Sequence, residues 1–247
     1  MTSCHQIGVD EAGRGPLVGD MVVAGVMGEK SVFDTLVAHG LRDSKVLTPM
    51  KRKELYELLV RSVDAITIYI PSYELDSKNL NELELEKITE ILKIFGSIAS
   101  SRSYECVEIY IDEVKGVEED LKRATIEAFR GEVKVVISSK ADAIYPAVSA
   151  ASIVAKVSRD LIIQSLKIVE GDFGSGYPAD ERTVRWLLEL YRKQSKPPLY
   201  LRRSWRSLIK LAPKWYRDKR TRVQKTLLEY WQRFSENGDK SSGRSQG

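Results

Sequence analysis

The chain has 247 residues, 43% of them apolar and 30% charged, with a net charge of +4, enough for one large domain or a domain with an appendage. No apolar run approaches the roughly 20 residues that cross a bilayer, and Met1-Thr2-Ser3-Cys4-His5 lacks a basic-then-apolar export signal, so a soluble, cytoplasmic protein without membrane partners is expected. Only His5 and His39 are present, neither beside another candidate ligand or a serine nucleophile, which argues against zinc, histidine-centred nuclease and serine-hydrolase chemistry.

Apolar patterning predicts strands near residues 5–10 and 18–27, a helix over 49–62 and a third strand over 65–70, the three strands forming a hairpin-linked sheet edge. A helix follows over 80–95, with Leu85, Ile88, Ile91, Leu92 and Phe95 at helical spacing and Gly96 as its stop. Strands ending at Asp112 and near Ser138, separated by a helix near 117–130, predict a parallel crossover. Pro146 opens a long helix with Ala150, Ile153, Val154, Val157 and Leu161 on one side and Ser149, Ser152, Lys156 and Arg159 on the other. Beyond about residue 170, Gly-Ser-Gly-Tyr-Pro and short helical stretches mark a change of character. The expected organisation is therefore a catalytic domain over 1–170, a basic, nucleic-acid-binding helical region over 171–234 and a disordered tail over 235–247. Cys4 and Cys106 are expected to stay reduced as packing residues.

Acids placed at predicted strand ends carry the chemistry. Asp10 and Glu11 run into Gly13-Arg14-Gly15, pairing carboxylate oxygens with bare backbone N–H groups and a planar cation. On a strand their side chains point to opposite faces unless the turn twists one round. Asp112 ends the Val107–Asp112 strand, and Asp142 follows the 133–138 strand. Open α/β sheets bind ligands at strand ends, and gathered carboxylates repel one another unless divalent cations neutralise them. All-oxygen ligation selects Mg²⁺ or Mn²⁺.

With these residues together, the chain resembles ribonuclease HII of the archaeal type. The matching segments are Gly8 to Gly25, Asp43-Ser44-Lys45, Ile109 to Asp112, Lys140 to Asp160, Gly174 to Pro178 and Arg203-Ser204-Trp205. The resemblance implies an α/β, ribonuclease H-like fold, a central mixed sheet flanked by helices with a C-terminal helical region. It also implies a metal-dependent endonuclease that hydrolyses the RNA strand of RNA–DNA hybrids and cuts 5′ to ribonucleotides embedded in duplex DNA, leaving 3′-hydroxyl and 5′-phosphate ends. Carried over by position, Asp10, Glu11, Asp112 and Asp142 become the catalytic ligands of two ions. Gly13, Arg14 and Gly15 become the turn that reads the ribose 2′-hydroxyl, and Tyr177 the residue at the RNA–DNA junction. Lys45, in Asp43-Ser44-Lys45, is a weaker candidate for a phosphate contact, set against an ordinary surface lysine. A monomer is expected, and nothing in the chain derives a replication clamp as partner.

Asp20 departs from the family pattern and is expected to be a strand-edge charge. Between Arg202 and Lys225 ten basic residues face one acid, Asp218, with Trp205, Trp215 and Tyr216 interleaved. The rings can pack while the charges face a polyanion. Two rivals remain at this point: a nuclease of the same fold that cuts plain DNA, and a noncatalytic nucleic-acid-binding module.

Overall fold

The computed structural model describes residues 4–41, 47–129 and 133–219. Its strands are β1 (His5–Ala12), β2 (Met21–Glu29), β3 (Asp64–Ile70), β4 (Val107–Asp112) and β5 (Val133–Ser138), arranged as one mixed sheet in the order β3-β2-β1-β4-β5. β1, β2 and β3 are antiparallel neighbours, while β4 runs parallel to β1 and β5 parallel to β4. The parallel crossover expected from the sequence is present, and the first three strands do form one antiparallel edge, although β3 is joined to β2 through two helices, Lys30–Ala38 and Pro49–Ser62, and not by a hairpin.

The described helices are α1 (Lys30–Ala38), α2 (Pro49–Ser62), α3 (Ser72–Leu75), α4 (Leu80–Ser101), α5 (Glu118–Ala128), α6 (Ala141–Ile144), α7 (Pro146–Glu170), α8 (Glu181–Lys193) and α9 (Ser207–Leu211). Residue parity along β2 divides the core between them, because successive side chains on a strand face opposite ways. Met21, Val23 and Met27 pack with Ile91, Leu92 and Phe95 of α4 on one face. Val22, Ala24 and Val26 pack with Ala147, Ala151 and Val154 of α7, Phe33 of α1 and Leu59 of α2 on the other. Each large apolar side chain buried this way contributes roughly 1.5–3 kcal/mol.

Two glycines set how closely the layers approach. A Cβ on Gly8 of β1 would lie 2.1 Å from the carbonyl of Ala147, so the start of α7 rests directly on the strand that carries Asp10 and Glu11. Gly96 is not the expected helix stop: α4 continues to Ser101, and a Cβ at Gly96 would collide with the Ala128 carbonyl. It is a contact point between α4 and the end of α5. The two-sided pattern expected for α7 also needs correction. Its first turns are surrounded, so Ser149, Ser152 and Arg159 are buried alongside the alanines, whereas Leu161 is exposed.

The segment after α7 encloses its own apolar cluster. Phe173, Leu187, Leu208 and Trp215 pack with Leu17 and Val18 from the loop after β1 and Ile163 from α7. Within the basic run, Arg202 and Trp215 are therefore interior residues instead of surface ones.

Cys4 and Cys106 form a disulfide, against the expectation of two reduced thiols. The geometry follows from the sheet: β1 and β4 are parallel with His5 opposite Val107, so the preceding residues, Cys4 and Cys106, stand side by side with Cα atoms 4.7 Å apart. The 220–247 segment, including the tail expected to be disordered, and residues 42–46, including Lys45, lie outside the described residues.

Candidate active site

β1 and β4 are adjacent and parallel, with Val9 opposite Ile111, so Asp10 and Asp112 leave the sheet as neighbours at the same end. Glu11, one residue on, would face away on a flat strand, yet one carboxylate oxygen from each of Asp10, Glu11 and Asp112 lies within 4.8 Å of the others. Both acids stand within β1, the strand running on to Ala12 before the turn.

Asp142 reaches the same cleft by a different route. The Asp112 carboxylate accepts a 2.8 Å hydrogen bond from the backbone N–H of Ala141, which seats α6 at the end of β4 and puts Asp142 on the cleft wall. Lys140 enters that helix with φ +57°, the backward turn needed to fold α6 over the strand end. Asp142 lies in the cleft but outside the compact trio.

Asp10 is buried, and its carboxyl is held well above the ordinary carboxylate range, first by loss of water and next by the charge of Glu11. The Ser152 side chain, reaching from α7, and the Glu11 backbone N–H, at 2.8 Å, hydrogen-bond it and act in the opposite direction. A buried carboxylate beside two others is a donor set that a hard divalent cation relieves, so these residues fit a Mg²⁺- or Mn²⁺-type ion.

The cleft encloses about 750 Å³ and also contains Gly13, Arg14, Gly15, Arg159 and Tyr177. The Gly13–Asp20 loop is clasped on both sides. Leu17 donates to the Gly176 carbonyl at 2.7 Å, Gly19 donates to Tyr200 at 2.8 Å, and Arg202 donates from its backbone to Leu17 at 2.8 Å. Arg202 also sends its fully buried guanidinium beneath the turn, with Nε donating to Gly19 at 2.8 Å and Nη1 to Gly13 at 2.6 Å. Burial and the neighbouring charge of Arg159 pull its pKa down to about 9.

Gly13 has φ +95°, and a Cβ there would lie 2.6 Å from Arg159 Nε, so both backbone shape and space require glycine. At Gly15 a Cβ would sit 3.3 Å from the Tyr177 ring, which brings the turn and Tyr177 into one surface. Arg14 is not a spare cation. It pairs with the buried Glu84 and donates to Asn81 Oδ1 at 2.6 Å, both on α4.

Asp20 is no edge charge, because β2 lies inside the sheet. It is half-buried behind the turn, accepting from the Ser72 backbone near Arg202, and burial raises its pKa. Ser152, Arg159 and Arg202 are the principal residues that sequence reading did not assign. Ser152 and Arg159 carried a signal, as polar side chains seven residues apart on a helix whose first turns are mostly small and apolar. Arg202 carried none, since its partners lie more than 180 residues away.

A mixed sheet with acids gathered where two parallel strands end, beside a glycine turn, is the architecture of a metal-dependent nuclease. Residues 7–208 match the ribonuclease HII family model, and the chain belongs to that family. It is 42% identical over 233 residues to a ribonuclease HII of Hyperthermus butylicus, covering 92% of this chain and 94% of that one. The ribonuclease H2 structure from Pyrococcus horikoshii superimposes with a TM-score of 0.73 at 35% identity, covering 85% of this chain and 98% of that one. The Archaeoglobus fulgidus ribonuclease HII, solved in complex with PCNA, gives 0.71 at 35% identity, covering 83% and 96%. The protein is accordingly a divalent-metal-dependent ribonuclease H endonuclease acting on RNA–DNA hybrids. Among the described residues no helix is long and apolar enough to cross a membrane.

Proposed function

We propose that the protein hydrolyses the RNA strand of RNA–DNA hybrids and cuts duplex DNA on the 5′ side of an embedded ribonucleotide, leaving 3′-hydroxyl and 5′-phosphate ends. The observation that carries this reading is the Asp10, Glu11 and Asp112 trio opening into the same cleft as the Gly13–Gly15 turn and Tyr177. Asp10 and Asp112 are the central ligands in this reading, with Glu11 and Asp142 completing the coordination of two Mg²⁺ or Mn²⁺ ions. Bound there, the ions would supply the positive charge that lowers the pKa of an attacking water and stabilises the leaving 3′ oxygen.

The chain's own groups do the orienting. Ser152 and the Glu11 N–H fix the Asp10 carboxylate, and the Ala141 N–H fixes that of Asp112. Backbone groups of Gly13 to Gly15 read the 2′-hydroxyl, the group that separates RNA from DNA at a single residue. The half-exposed Tyr177 ring stacks on the sugar beside the scissile linkage. The region after α7 holds the duplex through its basic surface, while Arg202 keeps the reading turn in place. All these groups come from one chain, which supports action as a monomer.

The test is a labelled duplex carrying one ribonucleotide, incubated with Mg²⁺ or Mn²⁺ beside an all-DNA control. One cut 5′ to the ribonucleotide is expected from the wild type and none from Asp112→Asn. Cutting of the all-DNA duplex would replace this reading with that of a plain DNA nuclease.

A further inference from the structure

Three acids are buried among the described residues: Asp10, Asp142 and Glu84. The first two line the cleft, whereas Glu84, 1% exposed, lies on α4 away from the cleft wall. Its partner is Arg14, the one residue of the Gly13–Gly15 turn with a side chain. The other arm of the same guanidinium, Nη2, donates at 2.6 Å to Oδ1 of Asn81, three residues before Glu84 and so on the same face of α4. Asn81 in turn donates through Nδ2 to the Lys115 carbonyl at 2.8 Å, in the loop that leaves Asp112. One path of charged and polar contacts thus joins the turn, α4 and the loop after β4.

Stability does not account for this arrangement. An ion pair taken out of water regains in attraction about what it loses in hydration, and apolar residues of similar size often replace it without loss. What such a pair does supply is direction: two acceptors fixed on one helix receive both arms of a planar fork and allow it one orientation. The turn needs that constraint. Glycines at 13 and 15 give its backbone wide freedom, and Arg202 grips it through the carbonyls of Gly13, at 2.6 Å, and Arg14, at 3.3 Å. The Arg14 side chain fixes its distance from α4. Recognition of a single hydroxyl is sensitive to that distance, since a displacement of about 1 Å at a reacting centre can cost a hundredfold.

We propose that Glu84, together with Asn81, is a positioning residue for ribonucleotide selection: acting through Arg14, it holds the Gly13–Gly15 backbone where it meets the ribose 2′-hydroxyl. Buried on α4, Glu84 touches no substrate itself. The proposal rests on the turn being the reader of that hydroxyl and adds the residues that set it in place.

The test measures selection apart from cleavage. Two duplexes that differ by one ribonucleotide are bound, without divalent metal, to wild type and to Glu84→Gln, and fluorescence anisotropy gives each affinity. The glutamine keeps the shape and an acceptor oxygen but removes the charge. The wild type should prefer the ribonucleotide duplex. Glu84→Gln should bind plain DNA as the wild type does, lose most of the preference, and show kcat/KM on the ribonucleotide duplex lower by about tenfold or more. A double variant, Arg14→Met with Glu84→Leu, should melt no lower than the wild type and still lack the preference. Loss of both melt and preference there would make the pair a structural one and overturn the proposal. Preference retained by Glu84→Gln, or by the double variant should Glu84→Gln not fold, also overturns it while leaving the turn as the reader. A wild type that binds both duplexes equally would remove the turn from that role, and the proposal with it.

Discussion

Asp10 shows how a single residue can be kept in a costly state within a fold. Its carboxyl is raised by burial and by Glu11. A group whose folded-state pKa lies above its unfolded value contributes stability that is full below the unfolded pKa and is lost as pH rises through the folded one. Without metal, Asp10 should therefore weaken the fold progressively from about pH 4 upward. Metal-free Asp10→Asn should melt above the wild type at pH 8 and level with it near pH 3.5. Equal melting temperatures across the range would mean that Asp10 is not strained in this way. At the turn, Gly13→Val meets both a positive φ and the Arg159 side chain. It should lose cleavage by more than tenfold and also lower the melting temperature, whereas Gly15→Val, at ordinary φ, should keep the fold and press on Tyr177. A Tyr177→Ala variant should melt normally and lose activity on single embedded ribonucleotides, and unchanged turnover would remove Tyr177 from the reading surface.

At the scale of elements, the site is made where β1, β4, α6 and α7 meet, and legibility in the sequence followed how local each contribution is. The strands announced themselves by apolar runs ending in acid, and the β1-β2 pairing followed from a short connection, whereas β3 pairs with β2 only after α1 and α2 intervene. Two things had no local mark. Glu11 joins Asp10 although strand alternation puts them on opposite faces, and Asp142 depends on α6, four residues seated by a hydrogen bond to Asp112 and by Ala141 packing against Tyr110 and Val148. Removing that acceptor should be felt beyond the metal. In metal-free protein, Asp112→Ala should speed hydrogen exchange in α6, and unaltered exchange there would show that α6 is seated by other contacts. Gly96 misled for a related reason, since a glycine that ends a helix and one that admits a neighbouring backbone look alike until the neighbour is in place.

Across the whole molecule, the segment after α7 and the Gly13–Gly15 turn are one mechanical unit. Arg202 crosses from the C-terminal region to bond the carbonyls of Gly13 and Gly19. Arg202→Met would take the guanidinium from the Gly13 carbonyl, at about 1–3 kcal/mol, while Gly19 keeps the Ser72 hydroxyl as a donor. Binding of the ribonucleotide duplex should weaken more than binding of plain DNA, and equal losses on both would limit Arg202 to general stability. The disulfide acts over a longer span, closing a loop between residues 102 apart in sequence. Constraint on the unfolded chain of that size is worth about 4–5 kcal/mol. Reduction, or Cys4→Ser, should therefore lower the melting temperature by roughly 10 °C, and an unchanged melt would show that the bond adds nothing to stability.

That bond ties the same two strands whose opposite ends present Asp10 and Asp112. Side chains alternate along a strand, so sliding β4 past β1 by a single residue would turn Asp112 away from Asp10 and into the packed layers. Cys4 and Cys106 thus serve as a tailor's pin at the hem: fastened at one edge of the cloth, they keep the pattern aligned at the other.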